Sequence, residues 1–149
     1  MNLREATIED IPQLMVVRLS VKENTLSNPD LVPFEAYVEF LTQRGKGWIC
    51  EIDSKIVGFS VVDLRENNIW ALFIHPYFEK KGIGKQLHHT MLNWYFEQTN
   101  KPVWLGTEPN SRADAFYRKA GWAAIGMHGE NEIKFEMNFE NWRTNKSIL

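Results

Sequence analysis

The spacing of hydrophobic positions changes period several times along the chain, and each change marks a new element. After a short apolar start at Leu3, Thr7-Ile8-Glu9-Asp10 has the form of a capping box with Asp in place of Glu. Ile11, Leu14 and Met15 follow at helical spacing and open a first helix. Residues 23–31, with Asn24, Ser27, Asn28, Pro29 and Asp30, are turn-rich and read as a loop. Pro33 at a helix start, one apolar face of Phe34, Tyr37, Val38 and Leu41, and Gly45 past the end define a second helix. The pattern then turns to strands. Residues 48–52, a turn at Asp53-Ser54 and residues 55–64 form a hairpin rich in β-branched and aromatic side chains. The polar turn Arg65-Glu66-Asn67-Asn68 leads into a strand over 69–74 that is apolar throughout, as a strand covered on both faces would be, and Pro76 closes it. A long helix from about 84 to 98 turns Leu87, Met91 and Tyr95 inward. A strand over 103–107, a short helix over 111–120 and strands near 123–127 and 133–139 complete the series.

The order is two helices, three antiparallel strands, helix, strand, helix, two strands. It predicts an α/β (α+β) fold with a mixed central sheet and helices on both faces, in a single domain over residues 1–149. No repeat, linker or low-complexity tract interrupts it. With 44% hydrophobic and 13% aromatic residues, the chain can build a core without disulfides or a structural metal.

Charge and cysteine usage then remove whole classes of function. Seventeen Lys and Arg stand against 19 Asp and Glu, a net charge of −2, and the isoelectric point is near 6.1. Such a balance supplies no field to hold a phosphate backbone, so nucleic acid is not an expected partner. The longest apolar run, residues 56–62, is far short of the ~20 residues needed to span a bilayer, and no membrane segment is expected. The lone Cys50 cannot form an internal disulfide, and no leader with a cleavage site opens the chain. Both point to a reducing compartment, the cytoplasm.

The chemistry concentrates in two segments. In Ile74-His75-Pro76-Tyr77-Phe78-Glu79-Lys80-Lys81-Gly82-Ile83-Gly84-Lys85, two glycines lie between a buried strand and the start of a helix. Unpaired N–H groups of a first helical turn favour an anion there, and glycine lets a pyrophosphate approach the backbone. An ordinary strand-to-helix turn would use the same glycines for positive φ. Leu87 stands where a dinucleotide fingerprint needs its third glycine, and no loop has Walker A spacing. The second segment is Glu108-Pro109-Asn110-Ser111-Arg112-Ala113-Asp114-Ala115-Phe116-Tyr117-Arg118-Lys119-Ala120-Gly121-Trp122.

The loop with Gly82 and Gly84, followed by Asn110, Ala113, Phe116-Tyr117 and Gly121-Trp122, resembles the GNAT superfamily of acyl-CoA-dependent N-acetyltransferases. The resemblance covers essentially the whole chain, since the N-terminal helices and antiparallel strands match that family's order. It implies acetyl-CoA as cosubstrate, with the main chain at Phe73 and Ile74 pairing with the pantetheine arm and Lys80, Lys81, Gly82, Ile83, Gly84 and Lys85 holding the pyrophosphate. Asn110 and Phe116 are placed with the cofactor contacts. The sequence departs from the family at Glu79, where Gln or Arg is usual, and at Lys80, where Gly is usual. A carboxylate beside a pyrophosphate is unfavourable, so Glu79 is expected to point away while Lys80, Lys81 and Lys85 offset it.

By the same resemblance, Tyr117 is the general acid that protonates the departing thiolate. The alternative is a core tyrosine in an aromatic cluster with Phe116 and Trp122. Asn110 is either a pantetheine contact or a helix N-cap, although Ser111 and Asp114 can cap the helix themselves. An ammonium acceptor must lose a proton before it attacks. Asn68 stands where some members have Glu, which leaves Glu108 as the substitute base, with Asp63 and Glu23 as further choices against a reading of all three as surface carboxylates. His75, His88, His89 and His128 lack ligand spacing, so no metal is expected, and Cys50 reads as a buried small hydrophobe. The implied reaction is direct transfer of an acetyl group to a small-molecule or peptide amine in a ternary complex. A non-catalytic CoA-binding or protein-interaction module on the same fold is the alternative. The acceptor is expected over residues 23–31 and the exposed side of Trp70, and an exposed C-terminal strand would allow a homodimer.

Overall fold

Residues 1–21 and 32–145 are described by the computed structural model, and the chain separates into two units, Met1–Tyr95 and Phe96–Leu149. The predicted loop over 23–31, with Glu23, lies outside the described residues.

The first unit is an antiparallel meander. Strand β1 (Asn2–Glu5) pairs with β2 (Gly45–Ile52), β2 with β3 (Lys55–Asp63), and β3 with β4 (Asn68–Ile74). Asp53 and Ser54 adopt φ of 52° and 63°, so a two-residue turn with positive φ at both positions closes the β2–β3 hairpin and matches the twist of its strands. Helix α1 (Ile11–Ser20) follows a single 3-10 turn over Ile8–Asp10. The capping box is present there, and the Asp10 carboxylate accepts the Thr7 N–H at 2.8 Å. Helix α2 (Phe34–Glu39) continues into a wide π-type turn over Phe40–Arg44. Ile11, Leu14, Val17 and Tyr37 from these helices form one core with Ile49, Phe59, Val61 and Ala71 of the sheet.

Helix α3 (Ile83–Gln98), which belongs to this unit as far as Tyr95, buries Leu87, Met91 and Tyr95 completely, as their spacing predicts. At Gly58 a Cβ would lie 3.3 Å from Leu87 Cδ1 and 2.7 Å from Ile74 Cδ1, so glycine is what allows the close approach. The strand buried along nearly its whole length is β3, every residue after Lys55, and not β4. In β4 only Ile69 and Ala71 are buried, because alternate side chains point to a less enclosed face.

The second unit has β5 (Val103–Thr107), α4 (Arg112–Lys119), β6 (Ala123–His128), β7 (Glu132–Met137) and α5 (Phe139–Asn145). Strand β7 pairs antiparallel with both β5 and β6. The last strand is therefore an inner one in this unit, and the exposed strand is β6, at every position. Phe139 is not in a strand. Asn138 Oδ1 accepts the Asn141 N–H at 2.7 Å and starts α5, which buries Trp142 against Phe96 with ring centroids 6.2 Å apart. With β1 and α5, both absent from the sequence reading, the described residues hold seven strands and five α-helices in an α/β fold.

Candidate active site

Strand β4 leads directly into the phosphate-type loop. The His75 N–H still donates to the Val57 carbonyl at 2.8 Å, after which Pro76–Phe78 turn as a short 3-10 segment. His75 Nδ1 accepts the Tyr77 N–H at 3.2 Å and so holds the turn. Glu79 is extended and half-buried. Lys80 and Gly82 then take φ of 63° and 82°, both left-handed. The first helical bond of α3 runs from Gln86 N–H to the Gly82 carbonyl at 3.1 Å. The N–H groups of Ile83, Gly84 and Lys85 precede it and have no carbonyl within the helix to receive them. Gly82 brings no side chain to cap them, and a Cβ there would meet nothing within 4 Å. Ile83, 1% exposed, anchors the helix start from below. Lys80, Lys81 and Lys85 are exposed around the loop. Backbone donors at a helix start with three exposed lysines nearby are an arrangement that suits an anion.

In the second unit the cap of α4 is settled. Ser111 Oγ accepts the Asp114 N–H at 3.1 Å and donates to the Glu108 carbonyl at 2.7 Å. The Asp114 carboxylate accepts the Asn110 N–H at 2.8 Å and Arg118 Nε–H at 2.6 Å. These bonds, Arg118 first, hold its carboxyl below the usual range. Ser111 is thus the N-cap, and the exposed Asn110, at φ 61°, is not. Tyr117 is 6% exposed. Its ring meets Phe116, Trp122 and Phe135 at centroid distances of 5.2, 5.4 and 6.1 Å, and burial pushes its phenol well above the ordinary value. Glu108 is exposed just past β5.

Other residues singled out by sequence have structural work. Asp63 is 1% exposed, and its carboxylate accepts hydrogen bonds from Arg44 Nε and a terminal guanidinium nitrogen and from the Arg65 N–H, so it is an internal ion-pair residue and not a surface carboxylate. Trp70 is stacked on Phe40 at 4.3 Å and meets Tyr37 edge-on at 5.0 Å, so its ring is largely occupied. His88 is buried and held neutral, its pKa lowered to about 4 by desolvation. Cys50 is fully buried, which raises its thiol. Among the described residues no group of three or more His, Cys, Asp or Glu could hold a metal. None of their helices is long and apolar enough to cross a membrane.

A sequence model of the Acetyltransferase (GNAT) family matches residues 11–122. The chain belongs to the GNAT acetyltransferase family. Its members use acetyl-CoA, and the loop and α4 of this GNAT chain lie on the elements that carried the sequence resemblance. Solved structures share the fold. One is the PaiA N-acetyltransferase of Thermoplasma acidophilum in complex with coenzyme A, with 18% identity, 93% of this chain and 98% of that one covered and a TM-score of 0.80. The ribosomal-protein-alanine N-acetyltransferase of Brucella melitensis follows at 20% identity, 93% and 100% coverage and a TM-score of 0.75. A GNAT acetyltransferase of Staphylococcus aureus Mu50 has 21% identity, 92% and 98% coverage and a TM-score of 0.77.

Sequence reasoning did not single out Trp104, Gly106 and Glu132, which meet His128, weighed there only as a metal ligand, on one face of the second unit's sheet. A glycine in the middle of β5 was the available signal.

Proposed function

We propose that this GNAT chain transfers an acetyl group from acetyl-CoA to a primary amine by direct attack in a ternary complex. The observation that carries the reading is the left-handed turn at Gly82, which brings no side chain of its own to the N–H groups that start α3. Residues 80–85 hold the pyrophosphate in this reading. The Phe73 and Ile74 main chain takes the pantetheine arm, and Asn110 and Phe116 complete the cofactor contacts. The finding that Ser111 caps α4 supports Asn110 in that role, because its side chain is not consumed by the helix.

The amine gives up its extra proton to Glu108 or to water. Its lone pair then forms the C–N bond to the thioester carbonyl carbon, the C–S bond breaks with its electron pair on sulfur, Tyr117 O–H protonates the thiolate, and the second proton lost from the acylated nitrogen returns through water to the Tyr117 phenolate. The family's use of acetyl-CoA and a single buried thiol support a cytoplasmic setting. The exposed edge of β6 is the surface on which a homodimer would pair.

Calorimetric titration with CoA tests the cofactor assignment. Gly84→Val adds bulk where backbone meets phosphate and should weaken binding by about tenfold or more while the protein stays folded. Unchanged affinity in a folded variant would remove the pyrophosphate from this loop.

A further inference from the structure

The sheet of the second unit has one face turned to α4, through Tyr117 and Arg118 on Phe135, and an opposite face with a different character. Antiparallel register puts Trp104 opposite Glu136, Gly106 opposite Lys134, and His128 opposite Glu132 on that second face. The Lys134 ammonium lies 5.0 Å from the Trp104 ring centroid, and the His128 ring stands 4.8 Å from the same ring. A Cβ on Gly106 would come within 2.8 Å of Glu132 Oε1 and 3.2 Å of His128 Cδ2. The missing side chain at 106 is what lets a carboxylate and an imidazole lie over the strand beside the indole. An aromatic face that already carries an ammonium, with a carboxylate set over a glycine next to it, is built to receive an organic cation.

We infer that this face receives the second ammonium of a di- or polycationic amine acceptor, on Trp104 and Glu132, displacing the Lys134 ammonium that rests there in the free protein. The inference rests on the reading of the chain as an amine acetyltransferase, and Glu108, the proposed proton acceptor, follows Gly106 by two residues. An acceptor with one ammonium delivers it to the reacting carbonyl and leaves the Trp104 face to Lys134. One with two can satisfy both places.

Titration of 1,4-diaminobutane and of 1-aminobutane into the full chain, with and without saturating CoA, tests this by calorimetry. The diamine should bind at least tenfold tighter than the monoamine. Trp104→Leu and Glu132→Gln should each bring the two amines to within about threefold of one another, while Trp104→Phe should keep most of the preference. Lys134→Met should move it the other way, tightening the diamine about threefold or more, because the competing ammonium is gone. That opposite sign is not produced by a residue that merely supports the sheet. Equal affinities in the wild-type protein, or a preference that survives Glu132→Gln and Trp104→Leu, overturns the inference. Should Trp104→Leu fail to fold, Glu132→Gln and Lys134→Met decide it. Failure of CoA itself to bind would instead overturn the acetyltransferase reading, and the amine titrations would still report on this face.

Discussion

At Tyr117, burial and acid strength pull in opposite directions. Enclosure by Phe116, Trp122 and Phe135 raises the phenol, which keeps it protonated at every working pH but makes it a weaker acid. Donation to a thiolate is favourable only where the thiolate is desolvated too, which is what a proton donor in an apolar setting provides. Tyr117→Phe removes the proton and keeps the ring. It should lower kcat by ~10²-fold or more with acetyl-CoA affinity nearly unchanged, as steady-state rates and calorimetry would show. Normal turnover with a lowered melting temperature would make Tyr117 a core residue. Lys80 holds a left-handed φ of 63° where the family usually has glycine. The backbone has kept a glycine's conformation under a residue that strains it. Lys80→Gly should therefore be tolerated, whereas Lys80→Val should be less stable than Lys80→Gly by about 1–2 kcal/mol in urea unfolding, since a β-branched side chain crowds the carbonyl in that region.

Element by element, most of the fold was legible because its signals are local. The α3 stripe of Leu87, Met91 and Tyr95, the Asp53-Ser54 turn and the Ser111 cap each depend on a few neighbouring residues. Strand β1 was missed because four residues with two exposed ends make no periodic pattern of their own; its structure comes from pairing with β2, more than forty positions on. Helix α5 was missed because Asn138 was read as part of a strand and not as a cap. Helix α3 also sets a pH dependence. A histidine ordinarily binds its proton near pH 6.5, whereas burial holds His88 to about 4. Between these values the unfolded chain takes up a proton that the folded chain refuses, so stability falls as pH drops through this window. About 2 kcal/mol should be lost between pH 7.5 and 5 at ~1.36 kcal/mol per unit. The depressed carboxyls of Asp10 and Asp114 add their loss only at lower pH. Urea midpoints at the two pH values should separate clearly in the wild-type protein and much less in His88→Leu. Equal separation in both would place the pH dependence elsewhere.

Across the whole molecule, what the sequence concealed is what distant pairing creates. Asp63 read chiefly as a surface carboxylate, whereas the β2–β3 register, with Gly45 opposite Asp63, buries it and brings Arg44 onto its carboxylate. The Trp104 face needs three strands in register before its indole, carboxylate and ammonium meet. The turn between β4 and α3, by contrast, could be singled out beforehand because a strand end, two glycines and a helix start lie within a dozen consecutive residues. The central claim is that a chain with this loop and this tyrosine completes a reaction and does more than bind a cofactor. Its most direct test incubates the protein with acetyl-CoA and a panel of amines, including mono- and diamines, an amino acid and a peptide N-terminus, while free thiol and acetylated amine are both measured. The account predicts amine-dependent thiol release with at least one acceptor, one acetamide forming for each thiol. Saturable CoA binding with no thiol release above hydrolysis for any amine would contradict it and leave a cofactor-binding module on the GNAT fold.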